Sequence, residues 1–195
     1  MRTFLLPSLR LVLFLGVLLG LVYPTLMTGI GQVFFHNKAN GSLIVRNGQV
    51  VGSRLIGQEF TSARFFQGRP SATTPPYNAA ASGATNYGPT NPALIKEVRT
   101  NLASVLKANP GVTAQQVPPL LVESSGSGLD PDISPAAALL QVARVAKANG
   151  LSQGTVRQLV DAHVHGRFLG LYGDPYVNVL ELNLAVQQLA KGASA

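Results

Sequence analysis

No cysteine occurs among the 195 residues. A disulfide-stapled scaffold and a lipid-anchored cysteine are therefore both excluded. Histidine is nearly as scarce, with three, and Asp plus Glu together number eight. From that supply neither a nucleophile with its base and orienting group nor a metal-ligand set can be assembled. A third absence is positional: no charged side chain lies between Leu11 and Phe35.

An uncharged run of that length rises about 37 Å as a helix, enough to cross a bilayer core of about 30 Å with some tilt. Its densest part, Leu11 to Leu21, is almost entirely Leu, Val, Phe and Gly; beyond Pro24 it softens and closes on Phe34-Phe35. The stretch is long for a cleaved signal peptide and has no A-x-A site, so it reads as a retained span over 11–35. Without an ionisable residue the span by itself carries no ion, proton or voltage sensor. Gly16 and Gly20 form a small-xxx-small pair, a face on which a partner helix can approach closely.

Arg2, Arg10 and the terminal amine precede the span, while Lys38 and Arg46 follow it. The positive-inside rule then places residues 1–10 as a cytoplasmic tail and 36–195 as an extracytoplasmic domain of a single-pass membrane protein. The domain holds 13 of the 15 Lys and Arg residues and all eight acidic ones. Those basic residues are scattered, with no nucleic-acid-binding stripe.

Within the domain, Asn47-Gly48 between Leu43–Arg46 and Gln49–Val51 predicts a β-hairpin with a type I′ turn, its second strand running on through Arg54-Leu55-Ile56. Residues 62–91 are rich in proline, glycine and small polar residues, yet include Phe65, Phe66, Tyr77 and Tyr87. Aromatics are rare in disordered tracts, so this long loop is expected to be ordered against a surface of the domain or of a partner. Helices follow. Asn91-Pro92 opens one with Leu94, Val98, Leu102, Val105 and Leu106 inward, and Asn109-Pro110 ends it. Ser134-Pro135 opens a second that ends at Asn149-Gly150, with a polar stripe of Gln141, Arg144 and Lys147. Ser152 caps a third that buries Val156, Leu159, Val160 and Val164. Asn178-x-x-Glu181 resembles a capping box ahead of Leu182, Ala185, Val186 and Leu189, although the alternation over 180–184 also suits a strand. The fold class is α+β: one transmembrane helix, then a helix-rich domain with a β-hairpin.

Ser124–Pro131 is glycine- and serine-rich but lacks the lysine of a phosphate-binding loop and the first glycine of a nucleophile elbow. It reads as a turn feeding the helix at Ser134, with Asp130 and Asp132 in turn and cap roles. His163 and His165 would face one way on a strand; on a helix end they diverge, and His163 complements the dipole.

A set of segments in fixed order carries a resemblance over almost the whole chain. It comprises the lone span, then Gly52-Ser-Arg54-Leu-Ile-Gly-Gln58-x-Phe60, Phe65-Phe66-x-x-Arg69-Pro70-Ser71-Ala72, Ala81-Ser82-Gly83 and Asn86-x-Gly88-Pro89-Thr90-Asn91-Pro92. Ser125-Gly-Ser-Gly-Leu-Asp130-Pro131-x-Ile-Ser134-Pro135, Gly166-Arg167-x-Leu169-Gly170 and Val177-Asn-Val-Leu-x-Leu-Asn183-Leu-Ala185 complete it. Together they resemble the KdpC family, the C subunits of bacterial Kdp potassium-transporting P-type ATPases. The resemblance implies a non-enzymatic accessory subunit beside three partners: a potassium-selecting channel-like subunit, an ATP-hydrolysing pump subunit and a small single-span peptide. It also implies a catalytic-chaperone role that raises the pump's affinity for ATP. The family's nucleotide contact is a Ser-x-x-Gln at the third helix; here Ser152 is followed at that spacing by Thr155, which weakens direct ATP contact. The expected partner interface comprises Gly16, Gly20, Phe65, Phe66, Arg69, Asn86, Tyr87 and Asn91. A membrane-anchored extracytoplasmic binding module unrelated to transport is the alternative.

Overall fold

The computed structural model describes residues 2–192, with side chains from residue 4 onward. The terminal amine and the Arg2 side chain, both counted in the charge balance above, lie outside the described residues. The chain divides into two units between Leu43 and Ile44.

The first unit is an unbroken helical rod: α1 (Arg2–Val17), a π-helical segment (Leu18–Val22) and α2 (Tyr23–Phe34). Pro24 explains the middle piece. Its ring crowds the preceding turn and it donates no bond, so the helix widens there. The Tyr23 N–H accordingly reaches back five residues to the Leu18 carbonyl. The helix thus passes Pro24 by a change of helical pitch, without a break. The apolar candidate span covers Phe4–Phe34, longer at its start than the charge-free run. Phe35 leaves helical geometry, and a short α3 (His36–Ala39) follows. There the Asn40 amide donates to Gln32 Oε1 at 3.0 Å and to the His36 carbonyl at 2.7 Å, tying off the rod.

The second unit opens at the second residue of β1 (Leu43–Arg46), which forms a hairpin with β2 (Gln49–Ser53), turned by Asn47 (φ +50°) and Gly48 (φ +76°). The second strand does not continue through Ile56. Ser53 and Ile56 pair with each other across a tight turn, and the Leu55 N–H donates to Ser53 Oγ at 3.0 Å.

Four helices form the body: α4 (Pro92–Ala108), α5 (Pro135–Asn149), α6 (Gln153–Ala162) and α7 (Val179–Gly192). Three start on the caps expected of them. Asn91 Oδ1 accepts from the Ala93 N–H, Ser134 Oγ from Ala137 and Ser152 Oγ from Thr155. Gly150, in the left-handed region, ends α5. At α7 only half of the capping box forms. Asn178 Oδ1 accepts from the Glu181 N–H, but the Glu181 carboxylate is drawn 2.6 Å from Arg54 instead.

A three-stranded antiparallel sheet, absent from the sequence reading, links these helices. Its strands are β3 (Asp132–Ile133), β4 (Val164–His165) and β5 (Tyr176–Asn178), in the order β3-β5-β4. Val177 pairs with Ile133 on one side and Val164 on the other, and is fully buried. Val164 therefore belongs to a strand, not to α6. Two- and three-residue strands are too short to show a period of two.

The core gathers Ala137, Ala138, Val142, Val145 and Ala146 of α5, Val156 and Val160 of α6, and Leu182 and Val186 of α7, together with Phe66 from the long loop. Alanine and valine on α5 let its neighbours approach closely. Each fully buried Val, Leu or Phe contributes roughly 1.5–3 kcal/mol by removal from water. By contrast α4 has no fully buried residue: its expected stripe of Leu94, Val98, Leu102, Val105 and Leu106 is only half-buried. Leu189 is exposed and Asn183 takes an inward place on α7.

Candidate functional site

Between Ile56 and Pro92 no helix or strand forms, yet this segment is tied down along much of its length. Two buried carboxamides do most of it. Gln141 of α5 accepts from the Gln67 N–H at 2.8 Å and donates to the Gln67 carbonyl at 3.1 Å. Asn183 of α7 does the same for Phe66, at 2.7 and 2.9 Å. Each amide thus imitates one rung of a β-ladder and satisfies backbone that enters the core without a strand partner. Gln141 does not point to solvent as its stripe suggested, because the loop needs it. Arg144 adds bonds to the carbonyls of Ala63 (2.8 Å) and Phe65 (2.9 Å), and burial lowers its pKa. Asn149 reaches the Arg64 carbonyl at 2.8 Å.

A second set fastens the next part of the loop to the Gly/Ser turn. Ser71 Oγ donates to the Gly128 carbonyl at 2.7 Å; Gly83 N–H and Ser82 Oγ both donate to the Ser127 carbonyl, at 2.9 and 3.0 Å. The turn is internally braced, with Gly128 N–H on Ser125 Oγ at 2.8 Å and Leu129 N–H on Ser127 Oγ at 3.1 Å. Gly128 sits at φ +67°, and a Cβ there would lie 2.7 Å from Thr73 Cγ2 and 2.9 Å from the Gly83 carbonyl. The loop is therefore ordered against the domain's own surface, with Ser124–Pro131 as its seat.

Arg69 stands where the two sets meet. It pairs with Asp130 at 3.0 Å and donates to the Ser124 carbonyl at 3.2 Å, while its Nε has no partner among the described residues. Tyr77 donates its hydroxyl to the Arg69 carbonyl at 2.5 Å. Burial first, then the nearby carboxylates of Asp130 and Glu59, push the Tyr77 pKa up to about 12, so the phenol is a donor at any physiological pH. Phe60, Arg69, Tyr77, Asn101, Val105 and Gln141 line a cavity of about 440 Å³ between the loop and α4.

The expected interface residues consequently part company. Phe66 is 0% exposed, a core side chain that no partner can reach. Phe65 is half-buried, edge-on to Phe60 with centroids 5.6 Å apart. Arg69 is engaged inside the domain, and Asn91 works as the α4 cap. Asn86 and Tyr87 are exposed. An added Cβ at Gly16 or Gly20 would meet nothing within 4 Å, so both keep an open face.

The remaining polar groups are likewise committed to structure. Ser152 Oγ caps α6 and lies 2.8 Å from Thr155 Oγ1. His163 Nδ1 lies 2.8 Å from the Leu159 carbonyl, at the α6 C-terminus as expected. His165 stacks on Tyr176 at 4.8 Å and lies 3.8 Å from Glu181. Asp130 Oδ1 accepts from the Asp132 N–H at 3.1 Å, and Asp132 Oδ1 accepts from the Asn178 amide at 2.9 Å. Among the described residues, no three His, Cys, Asp or Glu side chains converge as metal ligands would. Sequence reasoning missed Gln141 and Asn183, the residues that seat the loop; a carboxamide at a helix position otherwise reading as buried was the available signal.

A family model described as "K+-transporting ATPase, c chain" (KdpC) matches residues 5–188. The chain is 53% identical over 184 residues to the potassium-transporting ATPase KdpC subunit of Caldanaerobacter subterraneus subsp. tengcongensis, covering 94% of each. It is 50% identical over 193 residues to that of Paraburkholderia phymatum, covering 98% of this chain and 100% of the relative. The Methylobacterium nodulans subunit is 53% identical over 196 residues, with 94% and 96% covered. With a match of this extent, one apolar helix and a helix-rich α+β domain behind it, the chain belongs to the KdpC family.

Proposed function

We propose that this chain is a non-catalytic, membrane-anchored accessory subunit of an ATP-driven potassium uptake complex. The observation that carries the reading is near-complete colinearity with relatives named as KdpC subunits of potassium-transporting ATPases. The span offers no ionisable group for a cation path, so the pathway and the hydrolytic site belong to other subunits. The partners are a potassium-selecting subunit, a P-type pump subunit and a small single-span peptide. The open face at Gly16 and Gly20 suits one of their helices, and Asn86 and Tyr87 suit an outer docking surface. With the N-terminus cytoplasmic, the domain of residues 36–195 stands across the inner membrane from the nucleotide. Its effect on ATP affinity is then allosteric: a stabilised pump conformation that binds ATP more tightly. Ser152, whose hydroxyl already caps α6, is the weakest part of a direct nucleotide contact.

The test is co-expression of the affinity-tagged full-length chain with its neighbouring reading frames, followed by membrane pull-down and potassium uptake at limiting potassium. Recovery of a P-type ATPase, with uptake lost when this chain is deleted, is the expected result. A chain recovered alone from membranes with unimpaired uptake would instead identify an unrelated binding module.

A further inference from the structure

Residues 165–176 are exposed without interruption, between Val160 of α6 and Val177 of β5, which are both fully buried. Polar sequence would be expected there, but the segment reads His-Gly-Arg-Phe-Leu-Gly-Leu-Tyr-Gly-Asp-Pro-Tyr. Phe168, Leu169, Leu171 and Tyr172 are 72, 75, 75 and 67% exposed. Single exposed apolar residues are ordinary; four in five positions form a patch.

The segment is also shaped. Phe168 and Tyr172 exchange backbone bonds, with N–H to carbonyl distances of 2.9 and 3.0 Å, and the Leu171 N–H closes the turn on the Phe168 carbonyl at 3.1 Å. Leu169 (φ +53°) and Gly170 (φ +73°) occupy successive left-handed positions. Asn-Gly would make such a turn at low cost, whereas leucine there is unfavourable and, being exposed, recovers nothing inside this chain. Backbone strain that holds an apolar side chain into solvent suggests use of that side chain elsewhere. A rigid tip also loses little freedom when it docks.

Charge narrows the occupant. From Gly166 to Pro175 the segment carries one Arg and one Asp, and Arg167 lies 3.6 Å from Asp174. Loops that settle on anionic lipid surfaces combine apolar residues with net positive charge; this tip is neutral. Aromatic and aliphatic anchors without net charge match the centre of a protein interface.

We propose that the hairpin tip formed by Phe168, Leu169, Leu171 and Tyr172 is an anchor that inserts into an uncharged apolar socket on one of the larger membrane subunits of the pump. This rests on the accessory-subunit reading above and adds the contact through which the domain is held.

The cysteine-free chain allows a direct test. A full-length Leu169→Cys variant carries a single thiol, whose labelling rate by a bulky maleimide is measured in the chain alone and in the purified complex. Labelling at least tenfold slower in the complex is expected. In a second arm, Leu169→Asn suits the left-handed turn and so preserves the fold while removing the anchor. Combined with Leu171→Ser, it should lower recovery of the partner subunits at least tenfold while the chain keeps its thermal unfolding midpoint. Equal labelling in the two states, or full recovery with the double variant, overturns the proposal. Protection already present when the chain alone is reconstituted in neutral or anionic vesicles would assign the tip to lipid. Protection that rises with chain concentration in detergent would assign it to a second copy, and either outcome also overturns it. If the unsubstituted chain recovers no partner, the subunit reading itself fails, a result distinct from a stable complex with an accessible tip.

Discussion

Asn183 and Gln141 are the residues on which the long loop depends. Each satisfies a backbone donor and a backbone acceptor that the fold has carried out of water. Asn183→Ala would leave the Phe66 N–H and carbonyl without partners beside a fully buried ring. The expected loss is about 2–4 kcal/mol, from two orphaned groups at about 1–2 each, the lower part of the range for a buried group left unsatisfied. In a domain of this size that lowers the unfolding midpoint by roughly 5–15 °C, measured by circular dichroism of the full chain in detergent. Asn86→Gly, at an exposed position whose φ of +53° glycine adopts freely, should stay within about 0.5 kcal/mol of the parent. Gly128→Ala tests the seat in the same way. Both the left-handed backbone and the contacts with Thr73 and Gly83 oppose a methyl group, for a predicted cost of about 2 kcal/mol or more. Such roles are hard to read from sequence. A carboxamide in an apolar helix pattern announces that something polar is buried, but the group it answers is 74 or 117 residues away.

At the scale of elements, legibility followed the locality of the cause. The hairpin turn at Asn47-Gly48, the starts of α4, α5 and α6 and the stop at Gly150 each arise within four or five residues, and the sequence displays them. The sheet β3-β5-β4 arises from pairing across 46 residues on one side of β5 and 13 on the other, through strands of two or three residues, so the isolated segments carry no mark of it. Its middle rung makes a prediction. Asp132 faces Asn178, and burial holds the Asp132 pKa above its ordinary 3.8, against the lowering effect of the Asn178 amide. The folded state therefore binds this proton more tightly than the unfolded chain. Asp132 is most favourable to folding when protonated, and stability declines as pH rises from about the unfolded value through the raised folded one. Asp132→Asn keeps an oxygen for the Asn178 amide and removes the charge. It should stabilise the domain at pH 7 and flatten this part of the unfolding midpoint against pH. An unchanged slope would mean that the carboxylate is better solvated than its burial indicates.

For the whole molecule the governing choice is which side of the membrane receives the domain, because that decides whether an effect on ATP is by touch or at a distance. The balance is fine. Arg10 precedes the charge-free run, while Lys38 and Arg46 follow it, and the orientation is governed by such short flanks, not by the charge of a long domain. With the N-terminus inside, alkaline phosphatase fused after Ala195 should be active in intact cells and a green fluorescent protein fusion at the same place dark. A narrow balance should also be easy to tip. Combining Arg10→Gln with Asn37→Lys takes one charge from the leading flank and adds one to the trailing flank. The Asn37 carbonyl that receives the Ser42 N–H is a backbone group and stays in place. The double variant should turn a measurable fraction of molecules around, seen as falling phosphatase activity and rising fluorescence. Only correctly oriented molecules would still recover the pump subunits if docking occurs outside. A fully inverted population that still assembles and still raises ATP affinity would put the domain beside the nucleotide and replace the allosteric account with direct contact.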